Sequence, residues 1–401
     1  MPTPALLPPP PRPLTLLRQG RAFAPAPLGV VDILLGGGEI LTIGKDLPLP
    51  AGLPCEVIAL DGARVVAGFI DAHVHLQGGG GEAGAATRVP EVTFTDLTMA
   101  GVTTAIGLLG TDATTRGLAG LLAAARALDE LGLTALCYTG SYEVPPVTLT
   151  GSVRGDLVHI DRMVAVGELA ISDHRSSQPT FDEFARIAAD AHVAGLMTGK
   201  AGLLHLHLGD GERGLDLVRR ALAETELPAR TFHPTHCNRN RRLWREAMEL
   251  TRRGVTIDVT AFPAEDDAPG AAAAVAEFVA GGFDVTRLTV SSDGGGCLPA
   301  FDHDGTLLHM DVGRCTALVD ALVELLAAGH ALETVVPFFT SNVARTFRLR
   351  RKGQLRVGGD ADLIVMDDVG RPRDVMAGGR WVVRDRQPIV LGLFERSAAR
   401  D

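Results

Sequence analysis

The sequence predicts an α/β protein: a (β/α)8, TIM-like barrel with a small β-sandwich domain built from both chain ends. Three observations favour this fold class. Apolar strand-like runs alternate with helical patterns between residues 65 and 292, which is typical of a parallel sheet. Polar side chains recur at the ends of these runs, where the active sites of such barrels lie. Short strand and turn patterns occupy both chain ends.

The 401 residues are sufficient for one large and one small domain. We predict a disordered Pro-rich lead at 1–13, a small β domain from 14–64 plus 350–401, and the barrel at 65–349. The predicted barrel strands are 65–75, 103–109, 134–139, 168–172, 203–208, 231–236, 255–259 and 288–292, and the predicted helices between them include 118–131, 181–196, 215–224, 243–252 and 271–280. The weaker alternative is an open doubly wound sheet; the barrel is favoured because polar residues recur at so many strand ends.

The amino-acid composition argues against several classes of protein. Hydrophobic residues make up 46% of the chain and charged residues 21%, which is enough for a large core. A net charge of -10 argues against nucleic acid as a partner. The five cysteines are scattered without a Cys-x-x-Cys, so we expect a reduced, cytoplasmic protein. The sequence contains neither a signal-peptide pattern nor an 18-residue apolar run, so no membrane partner is predicted.

The barrel pattern begins with an apolar run that ends in His73-Val74-His75 and is followed closely by four glycines. Residues two apart on a strand point to the same face, so His73 and His75 can reach one metal ion. The glycine loop after them lets backbone and ligand approach closely. We therefore interpret this strand end as the start of a metal site.

Later strand ends carry further metal-binding side chains. His207 and His236 lie at the ends of the fifth and sixth predicted strands, and Asp293 follows the eighth. These histidines are preferred over His205 and His233 because each comes later in its strand and directly precedes a polar loop; the earlier pair is interpreted as structural. Neutral imidazole and carboxylate ligands suit Zn2+, with Mn2+ and Co2+ as alternatives.

The number of ligands predicts two metal ions. Four histidines and one aspartate exceed what one open catalytic zinc requires, so we expect two ions about 3.5–4 Å apart that share a hydroxide. Two such ions need a bridging anion from the protein. Glu168 is the candidate because it interrupts an apolar stretch on the fourth strand, where an unpaired carboxylate is costly. The alternative is a carboxylate paired with a barrel arginine.

Other polar residues at the barrel mouth suggest contacts with a substrate. Arg175 and Arg239 follow the fourth and sixth strands, and their planar forks suit a substrate with two carboxylates. Glu82, after the glycine loop, suits a substrate ammonium group. Tyr142 follows the third strand, where its phenol can polarise a carbonyl.

With these residues assembled, the chain resembles the isoaspartyl (β-aspartyl) dipeptidases of the amidohydrolase superfamily, over roughly residues 15–390. The His-x-His pair alone would indicate the superfamily. Three further segments are specific to this dipeptidase group: Gly-Gly-Gly-Gly-Glu-Ala-Gly at 78–84, Ser-Asp-His-Arg at 172–175 and Pro-Thr-His-x-Asn-Arg-Asn at 234–240.

The resemblance implies a binuclear zinc dipeptidase that hydrolyses the β-aspartyl bond through a metal-bridging hydroxide, and a homo-octamer. The family's metal ligands correspond to His73, His75, His207, His236 and Asp293. The family's substrate contacts correspond to Gly80, Glu82, Thr111, Tyr142, Arg175 and Arg239.

Two residues depart from the family pattern. Glu168 stands where the family usually has a lysine carboxylated on its side-chain nitrogen, so the bridging carboxylate is carried on a shorter arm. We expect two ions to bind, with altered spacing or affinity. Cys297 stands where the family tends to have a serine that contacts substrate, so it is a further substrate-binding candidate whose effect on substrate preference is open.

The predicted catalytic side chains are Asp293, Tyr142 and Glu82. Asp293 takes the proton of the attacking water and passes it to the leaving amine. Tyr142 and one metal polarise the scissile carbonyl. Glu82 holds the substrate ammonium group, while the arginines hold carboxylates.

Two alternatives remain open at this point. A related amidohydrolase, such as a cyclic amidase or an N-acyl amino acid deacylase, would not need Glu82 as an ammonium site. A metal-binding assembly without turnover would result if Glu168 cannot hold both ions.

Overall fold

The computed structural model describes residues 14–262, 264, 267–301 and 307–395. The predicted disordered lead, 1–13, lies outside the described residues. The strands are β1 (Leu14–Phe23), β2 (Pro27–Gly36), β3 (Glu39–Gly44), β4 (Cys55–Ala59), β5 (Arg64–Ala67), β6 (Phe69–Val74), β7 (Val102–Gly107), β8 (Thr134–Thr139), β9 (Met163–Ile171), β10 (Leu204–Leu208), β11 (Phe232–Thr235), β12 (Ile257–Thr260), β13 (Leu288–Ser291), β14 (Cys297–Phe301), β15 (Leu307–Val312), β16 (Leu363–Met366), β17 (Pro372–Ala377), β18 (Arg380–Arg384) and β19 (Gln387–Pro388). The α-helices are α1 (Phe94–Met99), α2 (Leu118–Leu131), α3 (Val153–His159), α4 (Phe181–Thr198), α5 (Asp216–Glu224), α6 (Arg241–Thr251), α7 (Ala271–Ala280), α8 (Ala317–Ala327), α9 (Leu332–Val335) and α10 (Ser341–Thr346).

Strands β6 to β13 form the barrel. In the described chain, β6 to β11 make one continuous parallel sheet of six strands, and β12 pairs with β13. This pair closes the ring, because the Cys237 amide donates to the Asp258 carbonyl and Val74 bridges to Gly294. The carboxyl ends of the barrel strands therefore meet at one mouth. The predicted fold class is confirmed.

The second domain is built from both chain ends, as predicted. Among the described residues, its nine strands form one hydrogen-bonded sheet with the order β19-β18-β17-β16-β5-β1-β2-β3, and β4 pairs with β1. Apolar side chains from both ends, including Leu17, Ile33, Val65, Leu363 and Val365, pack into a core separate from that of the barrel.

The segment predicted as the first barrel strand belongs to two sheets. β5 (Arg64–Ala67) pairs with β1 and β16 in the small domain, whereas β6 begins at Phe69 and pairs with β7. Gly68 separates them. A Cβ atom at Gly68 would lie 2.2 Å from Thr103 Oγ1, so only glycine lets the chain pass this close to β7.

The helices after the barrel strands follow the predicted pattern. α2 and α7 have the predicted bounds. Gly132 ends α2 in the left-handed conformation, and Thr180 and Glu183 form a capping box at the start of α4. No helix in the described part of the chain is long and apolar enough to cross a bilayer.

Lys352 joins the two domains. Its Nζ lies 2.5 Å from Asp362 Oδ2, 2.9 Å from Asp360 Oδ2 and 2.8 Å from Thr134 Oγ1 at the start of β8. Burial alone would lower the pKa of Lys352, but the two aspartates raise it above its ordinary value. The buried cation therefore stabilises two carboxylates at the domain boundary.

We expect Lys352→Met to lower the free energy of unfolding by about 3 kcal/mol, because Asp362 would remain buried without its cation. Urea denaturation at pH 7 measures this change. The contribution of Lys352 should persist below the ordinary lysine pKa and disappear as pH rises through the raised value.

Arg351→Met is the matched control for Lys352→Met. Arg351 also binds Asp360, but its side chain is 49% exposed, compared with 10% for Lys352. We expect this control to destabilise the protein much less than Lys352→Met, because water screens the exposed Arg351. Equal losses from the two variants would contradict the proposed role of Lys352.

Candidate metal centre and active site

The first group of candidate metal ligands lies at the end of β6. His73 belongs to this strand and His75 follows it, and both side chains are buried. Their Nε2 atoms lie 3.6 and 3.5 Å from Glu168 Oε1, and 3.4 and 3.1 Å from Asp293 Oδ1. Two imidazoles and two carboxylate oxygens therefore converge, as the spacing of the histidines predicts.

Glu168 lies at a bulge in β9. Leu204 pairs with Val166 and Leu206 with Leu169, so Gly167 and Glu168 together face the single residue His205. Gly167 has φ 151°, and a Cβ atom there would lie 2.8 Å from His205 Cβ. β-Bulges re-aim side chains next to active sites. This local irregularity therefore positions the Glu168 carboxylate between the candidate ligands.

The second group consists of His207 and His236, at the ends of β10 and β11. His207 Nδ1 lies 3.1 Å and His236 Nε2 lies 3.6 Å from Glu168 Oε2. The two oxygens of Glu168 thus face different histidine pairs, Oε1 toward His73 and His75 and Oε2 toward this pair. A carboxylate that bridges two cations requires this arrangement.

Four buried polar atoms of this cluster have no hydrogen-bond partner among the described residues: His73 Nε2, His75 Nδ1, Glu168 Oε1 and Asp293 Oδ1. Such atoms are costly unless something binds them. Candidate ligand atoms of His73, His236 and Asp293 all lie within 4.8 Å of one another, as do those of two further sets that contain Glu168. Imidazole nitrogens and carboxylate oxygens suit Zn2+ and similar ions, so the residues fit a metal centre.

The electrostatics of the cluster also favour cations. Burial alone would raise the pKa of Glu168 and Asp293, but neighbouring histidines hold both carboxyls well below their ordinary range. Burial lowers the pKa of His236 to about 3, so this imidazole is neutral. Although burial opposes it, the carboxylates of Glu168 and Asp293 raise the pKa of His73, which indicates strong attraction for positive charge.

Two candidate ligands have left-handed backbones. His236 has φ 58° directly after β11, and Asp293 has φ 53° shortly after β13. Non-glycine residues rarely adopt this conformation, and it concentrates at functional sites. The backbone of both residues is therefore strained where their side chains turn into the cluster.

A charged group beside the candidate ligands contains three of the predicted substrate-binding residues. Arg175 Nη1 lies 3.2 Å from Glu82 Oε1, and the Cys297 thiol donates to the same oxygen at 3.0 Å. Glu82 Oε2 is buried and has no hydrogen-bond partner among the described residues. One carboxylate oxygen of Glu82 is therefore held in place while the other has unused hydrogen-bonding capacity.

Tyr142 connects this group to the metal ligands. Its hydroxyl lies 2.7 Å from His207 Nδ1, and the Arg175 guanidinium lies 5.8 Å from the centre of its ring. Burial raises the pKa of Tyr142 well above its ordinary value, so the phenol remains protonated. The structure thus places a protonated hydroxyl directly beside a candidate ligand.

The remaining predicted substrate-binding residues lie around this group. Arg239 follows β11, and its buried Nε has no hydrogen-bond partner among the described residues. A Cβ atom at Gly80 would lie 3.5 Å from Cys297 Cβ, so Gly80 borders the thiol. Thr111 is half-buried in the loop after β7, next to Gly110, where an added Cβ would lie 2.8 Å from His75 Cε1.

Residues 64–382 match the amidohydrolase family. The chain belongs to this family. The resemblance to the isoaspartyl dipeptidases is confirmed by solved structures. A β-aspartyl dipeptidase from the thermophilic, keratin-degrading Fervidobacterium islandicum AW-1, solved in complex with β-Asp-Leu, is 39% identical with a TM-score of 0.90. The alignment covers 95% of this chain and 100% of that enzyme.

Two further proteins are similar to this chain, one in its fold and one over a short stretch of sequence. The dihydropyrimidinase of Brevibacillus agri NCHU1002 is 16% identical with a TM-score of 0.66, over 94% of this chain and 97% of that one. A dihydroorotase from Macrococcus caseolyticus is 41% identical over 68 residues, which are 17% of this chain and 15% of the dihydroorotase. The chain therefore matches only a short part of that curated relative's length.

The sequence analysis gave no role to Asp173. In this amidohydrolase it lies between His207, a candidate metal ligand, and Arg175, a candidate substrate-binding residue. Asp173 Oδ2 lies 2.9 Å from His207 Nε2 and 2.8 Å from Arg175 Nη2. By accepting a hydrogen bond from His207 Nε2, Asp173 directs Nδ1 toward Glu168. The position of Asp173 in the Ser-Asp-His-Arg segment directly after β9 was an available signal.

Arg116 was also missed. This amidohydrolase buries it to 7% exposure, and its guanidinium donates to the carbonyls of Gly79 at 2.9 Å and Val89 at 2.8 Å. It therefore holds the glycine loop that carries Gly80 and Glu82. No local sequence pattern distinguishes Arg116 from a surface arginine.

Proposed function

We propose that this amidohydrolase is a metal-dependent dipeptidase that hydrolyses the β-aspartyl peptide bond. The position of Glu168 between two histidine pairs carries the proposal, because a carboxylate there would hold both ions of a two-metal hydrolase. The neighbouring mouth offers one carboxylate and two guanidinium groups to a zwitterionic dipeptide. The Fervidobacterium enzyme, which matches over its whole length and was solved with β-Asp-Leu, supports the substrate class.

The proposed centre holds two divalent cations per chain. His73, His75 and Asp293 would hold one, His207 and His236 the other, and Glu168 both. Zn2+ is the proposed ion, with Mn2+ and Co2+ as alternatives, because the set combines imidazole and carboxylate ligands. When bound, such ions lower the pKa of water and polarise a carbonyl group.

Asp293 is the proposed general base. Its carboxyl is ionised because His73 and His75 hold its pKa low against the effect of burial. As the water oxygen bonds to the scissile carbonyl carbon, Asp293 accepts a water proton; as the carbon–nitrogen bond breaks, it passes that proton to the leaving amine. Tyr142 keeps its proton and donates a hydrogen bond to the developing oxyanion.

The proposed substrate contacts follow from unused polar groups. Glu82 Oε2 has no partner in the described chain and would accept the substrate ammonium group. Arg239 Nε is likewise unpaired and would donate to a carboxylate. Arg175 already binds Asp173 and Glu82, and it thereby orients Glu82. Its remaining hydrogen-bonding capacity would bind the second carboxylate of the substrate. Gly80, Thr111 and Cys297 complete the proposed pocket.

The decisive experiment compares hydrolysis of β-Asp-Leu, α-Asp-Leu and N-acetyl-β-Asp-Leu, with metal counted per chain on the same sample. We expect selective cleavage of β-Asp-Leu with two ions bound. Cleavage of the N-blocked peptide at an equal rate, unchanged in Glu82→Gln, would instead identify a related amidohydrolase. Fewer than two bound ions per chain, without any hydrolysis, would identify a non-catalytic assembly.

Arg116→Met should raise the KM for β-Asp-Leu about tenfold and leave kcat within about threefold. The substitution removes charged hydrogen bonds to the loop that carries Glu82, and a loss of about 1.4 kcal/mol corresponds to tenfold weaker binding. Steady-state kinetics measure both constants. Arg88→Met, at an exposed arginine beside the same loop, is the control and should leave KM unchanged. A loss in kcat alone would contradict a role in substrate binding.

We also propose a cytoplasmic homo-oligomer. The five cysteines are free, which suits a reducing compartment. The sequence resemblance favours an octamer, and light scattering on the purified protein measures the mass of the assembly. A monomeric mass would contradict this proposal without affecting the proposed activity.

A further inference from the structure

A row of buried polar side chains lies in the barrel interior beside the metal ligands. His73 Nδ1 lies 2.8 Å from His205 Nε2, and His205 Nδ1 lies 2.9 Å from His233 Nδ1. His233 Nε2 lies 3.0 Å from Thr289 Oγ1, which donates to Asp258 Oδ1 at 2.5 Å. We name His205, His233, Thr289 and Asp258 the histidine chain; all four are fully buried.

The proposed mechanism does not use the histidine chain, although burying four polar side chains costs considerable folding free energy. Barrel interiors are usually filled by branched apolar side chains, and buried polar groups are favourable only when they are fully hydrogen-bonded. Here they are bonded in an unbroken series. Tyr138 stacks on His205, with ring centres 4.9 Å apart, and its hydroxyl donates to the Ala72 carbonyl at 2.8 Å. The ring plane of His205 is therefore fixed as well.

The hydrogen-bond partners determine the direction of the series. A cation bound at His73 Nε2 leaves the proton on Nδ1, so His73 donates to His205 Nε2. His205 then carries its proton on Nδ1 and donates to His233, whose carbonyl also lies 3.0 Å away. His233 must present a bare Nδ1 there, so its Nε2 donates to Thr289. Thr289 donates to Asp258.

Asp258 completes the series as the final acceptor. Its Oδ2 also accepts hydrogen bonds from Thr235 at 2.8 Å and Ser291 at 2.5 Å. A carboxylate bonded to three hydroxyl groups is held in one orientation. Each proton from His73 to Asp258 therefore has one consistent position.

We propose that the histidine chain is a positioning device for His73: it fixes the Nδ1–H tautomer and the ring orientation, and so strengthens metal binding on the His73 side of the centre. This inference rests on the metal centre of the proposed function. Partners that orient a histidine ligand typically contribute 10–100-fold to metal affinity.

Thr289→Val tests the proposal at a residue remote from the metal ligands. Valine keeps the shape of threonine but cannot accept from His233 or donate to Asp258. We expect one of the two Zn2+ dissociation constants, measured by competition with a chelating dye, to rise about tenfold or more. The visible spectrum of the Co2+-loaded protein should change in the same variant, because the ligand field at His73 is altered.

Two matched variants separate positioning from packing. Thr289→Ser keeps the hydroxyl and should retain the Zn2+ affinity and Co2+ spectrum of the wild type. Thr235→Val removes the same group from a residue that is equally buried and also donates to Asp258, but outside the series that leads to His73. We expect it to leave Zn2+ affinity within about twofold. Thermal unfolding of the metal-free variants checks that each one folds.

Three outcomes would overturn the inference. Wild-type Zn2+ affinity in Thr289→Val would mean that the series does not affect His73. Equal losses in Thr289→Val and Thr235→Val would assign the effect to Asp258 or to packing. A wild-type protein that binds no metal would remove the proposed function and the inference together, whereas active, metal-loaded wild type with an unaffected Thr289→Val removes the inference alone.

Discussion

Glu168→Gln should leave the chain with fewer than two bound metal ions. We expect kcat for β-Asp-Leu to fall by more than roughly a thousandfold. Glutamine keeps the shape of the side chain, but it replaces an anionic oxygen with an amide that repels cations. Metal ions contribute several kcal/mol of transition-state stabilisation, and about 1.4 kcal/mol corresponds to tenfold in rate. Metal analysis of the purified protein, combined with steady-state kinetics, measures both effects.

Glu168→Asp is the matched control, since it keeps the charge on a shorter arm. We expect it to retain part of the metal and more activity than Glu168→Gln. Full metal content and near-normal kcat in Glu168→Gln would show that the bridge lies elsewhere or is unnecessary. Because Glu168 is buried next to four histidines, unfolding curves of the metal-free variants are needed to separate lost metal from lost fold.

Asp293→Asn should lower kcat for β-Asp-Leu by roughly a thousandfold while leaving KM within a few-fold. Asparagine keeps an oxygen that can contact a metal but cannot accept the water proton, and general acid–base catalysis contributes about 10²–10⁴. The kinetic measurement is paired with metal content, because a variant that keeps its metal isolates the proton-transfer role.

Asp210→Asn provides the comparison for Asp293→Asn. Asp210 lies at the same rim of the barrel, after β10, but is exposed. Its kinetics should match those of the wild type. If Asp293→Asn retains two metal ions and most of its kcat, then another group takes the proton.

The barrel could be predicted because its pattern is repeated. Strand-like runs and amphipathic helices such as α2 and α7 recur with similar spacing, and each repeat supports the others. Elements outside this repeated pattern were not predicted: α1, α3, α8, α9, α10 and the β14–β15 hairpin. α8 has helical periodicity, since Leu318, Leu322 and Leu325 are buried on one face, but it follows the last predicted barrel strand and so lies outside the alternation of strands and helices. The boundary at Gly68 was missed since an uninterrupted apolar run conceals a change of sheet.

The cluster of candidate metal ligands could be predicted for a different reason. Histidines are conspicuous at the ends of apolar strands, and a glutamate is conspicuous inside one; parallel strands bring their carboxyl ends together. The bulge that aims Glu168 depends on pairing between β9 and β10, which no local pattern encodes. Asp173 contacts His207 on the neighbouring strand β10, and Arg116 contacts the glycine loop, so these contacts could be seen only in the structure.

The strand order of the second domain governs when this protein can fold. β16 pairs with β5, Val65 opposite Val365 and Ile364 opposite Val66. During synthesis, β5 has therefore emerged long before its partner exists. An apolar strand edge that waits for a distant segment is open to pairing with other chains. The ribosome must complete nearly the entire catalytic barrel before the chain can cover this edge, so aggregation is a hazard chiefly of the nascent protein.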